Sequence, residues 1–142
     1  MSEGLRPGRK KAQTGPAADS FTRLQEAFLD LHKTLLDSER VGYEQAFGTI
    51  KSPGDFLQLA IKDPWFAWLH PLSAFITSMD ERLEGENPIS PKDVDDFLKS
   101  GRALLAPEEN GQGFGKHYYD ALQRDPDVVL AHAKVVKWNG NR

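Results

Sequence analysis

The sequence predicts an all-α protein, and three observations carry that expectation. Four Ser-Pro or Asp-Pro pairs stand where helices would begin: Ser52-Pro53, Asp63-Pro64, Ser90-Pro91 and Asp125-Pro126. The residues after them carry apolar side chains at helical spacing. No run alternates with a period of two and no hairpin turn pair occurs, so nothing marks a strand. In each pair the side-chain oxygen at the N-cap can accept from an early backbone N–H. The proline at the first helical position gives up a donor that had no partner there.

The first helix is expected over 20–39, with a continuation to 47, opened by Asp19 or Ser20. Its stripe of Phe21, Leu24, Phe28, Leu31 and Leu35 falls in one sector at 100° per residue, which reads as a core face. Ser52-Pro53 opens a helix over 53–62 and Asp63-Pro64 one over 64–83. Ser90-Pro91 opens 91–105, with Val94, Phe97, Leu98, Leu104 and Leu105 inward, and Asp93 resembles the acid of a capping box, as Asp55 does after Ser52. The Gly-rich ENGQGFG leads into 114–124, where Phe114, Tyr118, Ala121 and Leu122 share a face. Asp125-Pro126 opens the last helix, 126–137. A compact antiparallel bundle of four main helices plus short ones would bury these faces.

The segment DPWFAWLHPLSAFI needs a closer reading, because it gathers three aromatic rings of the Trp and Phe type before Pro71. Only about 16 residues run from Pro64 to Met79, several of them polar, and a spanning helix needs roughly 20 apolar ones, so no membrane anchor is expected. On the α-helical projection Trp65, Trp68, Leu69, Leu72, Phe75, Ile76 and Met79 form one apolar sector, with Trp65, Leu69, Leu72 and Ile76 predicted to be buried. Pro71 removes the bond to the carbonyl of Ala67 and disfavours a helical His70, so a kink or restart is expected there. Phe66 and His70 fall outside the sector. They either pack on a second layer or form an exposed patch suited to a protein partner.

The chain has 142 residues, 39% of them hydrophobic and 27% charged, which suits one globular domain. It contains no cysteine, so thiolate metal sites, iron–sulfur clusters, disulfides and cysteine nucleophiles are excluded. No apolar stretch follows the basic N-terminus, so no secretory signal is expected and the cytoplasm is the expected compartment. Residues 1–18 read as a disordered basic leader, dispensable for folding, and 19–139 as the folded domain. The leader holds Arg6, Arg9, Lys10 and Lys11 against Glu3, leaving 14 basic and 20 acidic residues in the body. An acidic body repels a polyanion, which argues against nucleic acid as partner.

Two further residue sets could carry chemistry. His32 and His132 project onto the apolar faces of their helices, where an imidazole is usually neutral and hydrogen-bonded; the alternative is that they converge on a metal, a haem iron or a small molecule. No Glu-x-x-His occurs, so the carboxylate-bridged di-iron pattern is absent. The run from Gly111 to Lys116 fails the Walker pattern at Asn110 and His117, leaving a weaker anion site in which Lys116 and His117 would assist a helix N-terminus. No G-x-S-x-G occurs either, and no catalytic residue emerges. The expectation is a small non-enzymatic binding or regulatory protein, with no cofactor identified and the oligomeric state open.

The segments DPWFAWLHPLS and DPDVVLAHA, with LHKTLLDSERVGYE before them and GFGKHYY between, resemble a family of small uncharacterised bacterial all-α proteins. The likeness runs from about Leu31 to Ala133. It implies no activity, and the family's usual arginine in place of His70 weakens an essential role for that imidazole.

Overall fold

The computed structural model describes residues 13–139, and every element in them is helical. Six α-helices occur: α1 (Pro16–Phe47), α2 (Pro53–Lys62), α3 (His70–Glu84), α4 (Pro91–Leu104), α5 (Phe114–Arg124) and α6 (Pro126–Val136). A 3-10 turn, Pro64–Leu69, links α2 to α3. Among the described residues no helix is long and apolar enough to cross a membrane.

The four capped starts form as local chemistry dictates. Ser52 Oγ accepts from the Asp55 N–H at 3.0 Å, and Asp63 Oδ1 from that of Trp65 at 2.9 Å. Asp125 Oδ1 accepts from the Asp127 N–H at 2.9 Å. At α4 the box is reciprocal: Ser90 Oγ accepts from the Asp93 N–H, and Asp93 Oδ2 accepts from the Ser90 N–H. That backbone bond, and then the Ser90 hydroxyl and Arg82, hold the Asp93 carboxyl below the usual carboxylate range.

The start of α1 differs from the sequence expectation. The helix opens at Gly15-Pro16, not at Asp19 or Ser20, with Gly15 at φ 109° and Pro16 in the first turn. Ala18 is buried, so the boundary drawn after residue 18 falls inside the folded body. Gln13 ties this segment down: its Nε2 lies 3.2 to 3.3 Å from the carbonyls of Leu83, Gly85 and Asn87, and its Oε1 accepts from the Ile89 N–H at 2.8 Å. Residues 1–12 of the expected leader, with its four cations, lie outside the described residues.

One core runs through the molecule. Phe21, Leu24, Phe28, Leu31 and Leu35 of α1 are fully buried and meet Leu72, Ile76 and Met79 of α3, Val94 and Leu98 of α4, Tyr118 of α5 and Val128 and Val135 of α6. Edge-on and tilted ring pairs lock α1 to α3 and α4: Phe21–Phe97 and Phe28–Phe75 are each 5.0 Å apart, and Phe75–Phe97 5.9 Å. Gly101 is buried in α4 because a β-carbon there would run into the ring edge of Phe28.

The largest departure lies in the 3-10 turn. A 3-10 helix has three residues per turn, so positions three apart eclipse one another. Exposure follows that period: Pro64 and Ala67 are exposed, Trp65 and Trp68 half-buried, Phe66 and Leu69 buried. Trp65 therefore leaves the core sector and Phe66 enters it, the reverse of the α-helical projection. The proline at 71 supplies the reason. Without an N–H there, the Ala67 carbonyl is taken by His70 N–H in the shorter pattern, and His70 itself is helical at φ −54° and ψ −41°.

Two stability predictions follow from this packing. Replacing Gly101 by Ala should gain about 1 kcal/mol of helix propensity but lose about 1 to 3 kcal/mol to overpacking against Phe28. A lower urea midpoint is expected. Replacing Gln13 by Ala should cost about 1 kcal/mol, because the Ile89 N–H loses its acceptor. An unchanged midpoint would show that residues 13–18 are not held by this tie.

Candidate binding site

The 3-10 turn separates two cavities. On one side lies a groove of about 610 Å³ between the end of α1 and α2, lined by Tyr43, Phe47, Ile50, Leu59 and Pro64 with Lys51, Lys62, Asp55 and Asp63 at its polar edges. On the other lies a cleft of about 500 Å³ lined by Pro64, Trp65, Ala67 and Trp68 of the turn, His117, Asp120 and Arg124 of α5, and Glu39 of α1.

The cleft is assembled from regular spacings. His117, Asp120 and Arg124 stand at i, i+3 and i+7, one stripe of α5. Trp65 and Trp68 stand at i and i+3, one edge of a 3-10 helix. The aromatic wall is fixed at both ends. Trp65 Nε1–H donates to the Glu39 carbonyl at 3.2 Å, and its ring meets Tyr43 and Phe47 edge-on at 6.0 and 5.8 Å. The Trp68 ring stacks on the His117 imidazole at 5.3 Å and 16°.

The polar wall is fixed as well. Arg124 donates to Glu39 Oε2 at 2.6 Å and to Ser38 Oγ at 3.2 Å. The Glu39 side chain is only 11% exposed, so its carboxylate needs that partner. Asp120 Oδ1 pairs with Lys116 Nζ at 3.1 Å.

The residues singled out in the sequence are dispersed. Phe66 is fully buried against Tyr43 and Phe56, 5.7 and 5.8 Å away, and so is not a surface contact; His70 is exposed. The two do not share a patch. Lys116 is drawn to Asp120 and lies 5.7 Å from the Tyr119 ring, and His117 faces Trp68. The glycines of the preceding loop make room for the chain's own acid: a β-carbon on Gly111 or Gly115 would meet the Glu108 side chain.

His32 and His132 are both half-buried, on α1 and α6. Burial lowers the pKa of each imidazole. The His132 Nδ1 lies 2.6 Å from the Tyr118 hydroxyl. Burial holds that phenol protonated, and the two groups share one hydrogen bond. Among the described residues no group of three or more His, Asp or Glu side chains could hold a metal ion.

Sequence reasoning passed over Glu39, Asp120 and Arg124. The spacing of the α5 stripe was visible in the chain, but its facing wall required the 3-10 register. No protein-family model, no curated protein and no solved structure matches the chain.

The lowered histidine pKa values give a pH dependence. The unfolded chain takes up protons near the ordinary histidine value of 6.5, where the native one does not, so stability is full above it and falls with pH below it. The melting temperature should drop between pH 7.5 and pH 5, and the drop should shrink in the His32→Gln, His132→Gln double variant. Circular dichroism melts would show it. An equal drop in the double variant would assign it to other groups.

Proposed function

We propose that the protein is a small, non-enzymatic binding protein of the cytoplasm that acts through the surface of α2. The observation that carries this reading is that none of the ten residues of α2 is buried, while Leu57 and Ile61 stand 57% and 54% exposed on the face of α2 turned away from the groove. Phe47 adds a further ring, 66% exposed, at the end of α1. An amphipathic helix that shows apolar residues at i and i+4 to solvent gains most from a second helix laid against it.

The occupant best suited to this surface is α2 of a second copy. Two α2 helices packed antiparallel about a two-fold axis would bring Leu57 against the partner's Ile61. Gly54 lies in the first turn of the same helix with only the Ser52 hydroxyl near its missing β-carbon, which permits close approach. The scaffold in this reading is an antiparallel bundle bent at Pro71, and the protein belongs with the bacterial family that its DPWFAWLHPLS and DPDVVLAHA segments resemble.

Sedimentation equilibrium tests the reading. The full chain should weigh twice the single-chain mass at tens of micromolar, and Leu57→Lys with Ile61→Lys should return it to one chain with an unchanged circular dichroism spectrum. A wild-type chain that stays single at every concentration would overturn it.

A further inference from the structure

The cleft between the 3-10 turn and α5 holds an acid and a base of one helix face unpaired with each other. Asp120 precedes Arg124 by four residues, the order in which an acid and a base on one helix face ordinarily pair. Here each turns elsewhere: Asp120 to Lys116, and Arg124 to Glu39 and Ser38. Both still line the cleft. A guanidinium has five N–H donors; the Arg124 bonds to Ser38 and Glu39 engage Nε and one terminal nitrogen, leaving the other terminal nitrogen without an acceptor among the described residues. Asp120 gives Oδ1 to Lys116 and keeps Oδ2. Facing them are two indoles whose positions are set by Glu39 and His117.

We propose that this cleft binds a small zwitterion with an apolar body, of the class of a free α-amino acid with an aromatic or large aliphatic side chain. The carboxylate of the ligand meets the remaining N–H edge of Arg124, its ammonium group meets Asp120, and its side chain lies against Trp65 and Trp68. Charge balance selects this class over a simple ion. The carboxylates of Glu39 and Asp120 are each paired, with Arg124 and with Lys116 from outside the cleft lining, so no unpaired charge awaits a lone ion, while the lining presents both signs on one helix face. A volume of about 500 Å³ admits a ligand of this size. Apolar walls with a few fixed polar groups are what small-ligand sites generally present. The inference does not rest on the α2 surface, which lies beyond the turn.

The test uses the full chain and three probes that share a phenyl ring: L-phenylalanine, phenethylamine, which lacks the carboxylate, and 3-phenylpropionate, which lacks the amine. Titration calorimetry and tryptophan fluorescence should both report phenylalanine binding, with each truncated probe weaker by about tenfold or more. In Asp120→Asn the advantage of phenylalanine over phenylpropionate should vanish, and in Arg124→Gln its advantage over phenethylamine. Asp120 is about half exposed, and its variant should melt like the wild type; Arg124→Gln is compared only if its melt shows a folded protein, and Asp120→Asn stands without it. Binding of phenethylamine or phenylpropionate as tightly as phenylalanine would replace the zwitterion with a simple ion site. No heat and no fluorescence change with any probe at about 10 mM would overturn the proposal.

Discussion

The bond that the rest of the structure depends on is the one that Pro71 cannot make. A residue with an N–H at that position would bond the Ala67 carbonyl in the α pattern and let one helix run from Pro64 onward. With the proline there, His70 N–H takes that carbonyl three residues back, and the Asp63 carbonyl likewise accepts from the Phe66 N–H at 3.1 Å. Residues 64–69 are wound at three per turn up to the start of α3. That winding sends Phe66 and Leu69 into the core and lines Trp65 and Trp68 along one edge. An α-helical winding would put Trp65 inside and Phe66 outside, and the cleft would lose its aromatic wall.

Three aromatic clusters meet along this stretch, and each joins a different part of the fold. Trp65 and Phe66 contact Tyr43 and Phe56, joining the end of α1 to α2; the Arg40 guanidinium covers the Phe56 ring at 4.9 Å. Trp68 contacts Phe114 and His117, joining the turn to α5, and from Phe114 ring contacts pass through Tyr118 to His132 on α6. Phe75 contacts Phe28 and Phe97, joining α3 to α1 and α4. Aromatic pairs contribute beyond their buried area through their ring geometry, so these junctions hold the helices in angle as well as in distance.

How much of this could be read from the chain depends on how local the determinant is. The four capped starts were legible because an Asp or Ser beside a proline decides them within one turn. The core stripe of α1 was legible because an α-helical projection is valid along a regular helix. The start of that helix was not, because its Gly15-Pro16 opening is secured by Gln13 reaching residues some seventy positions away. The register of 64–69 was misjudged because the projection assumed 100° per residue where the backbone turns by about 120°. For the candidate site the same split holds: His117, Asp120 and Arg124 form a readable stripe, while Glu39 joins them only through the packing of α1 against the turn and α5.

The cleft's polar wall is maintained by folding itself. Glu39 is nearly enclosed, and an enclosed carboxylate without a partner would cost far more than an exposed ion pair contributes. Arg124 meets that demand and is held by the Ser38 hydroxyl as well, so its direction is set before anything enters. The same holds across the gap, where the Glu39 carbonyl fixes the Trp65 indole through its N–H. One residue of α1 thus orients both walls, one through its side chain and the other through its backbone. A ligand entering such a cleft would not have to order the groups it meets, and the entropy that binding usually costs in side-chain ordering is already met by the fold.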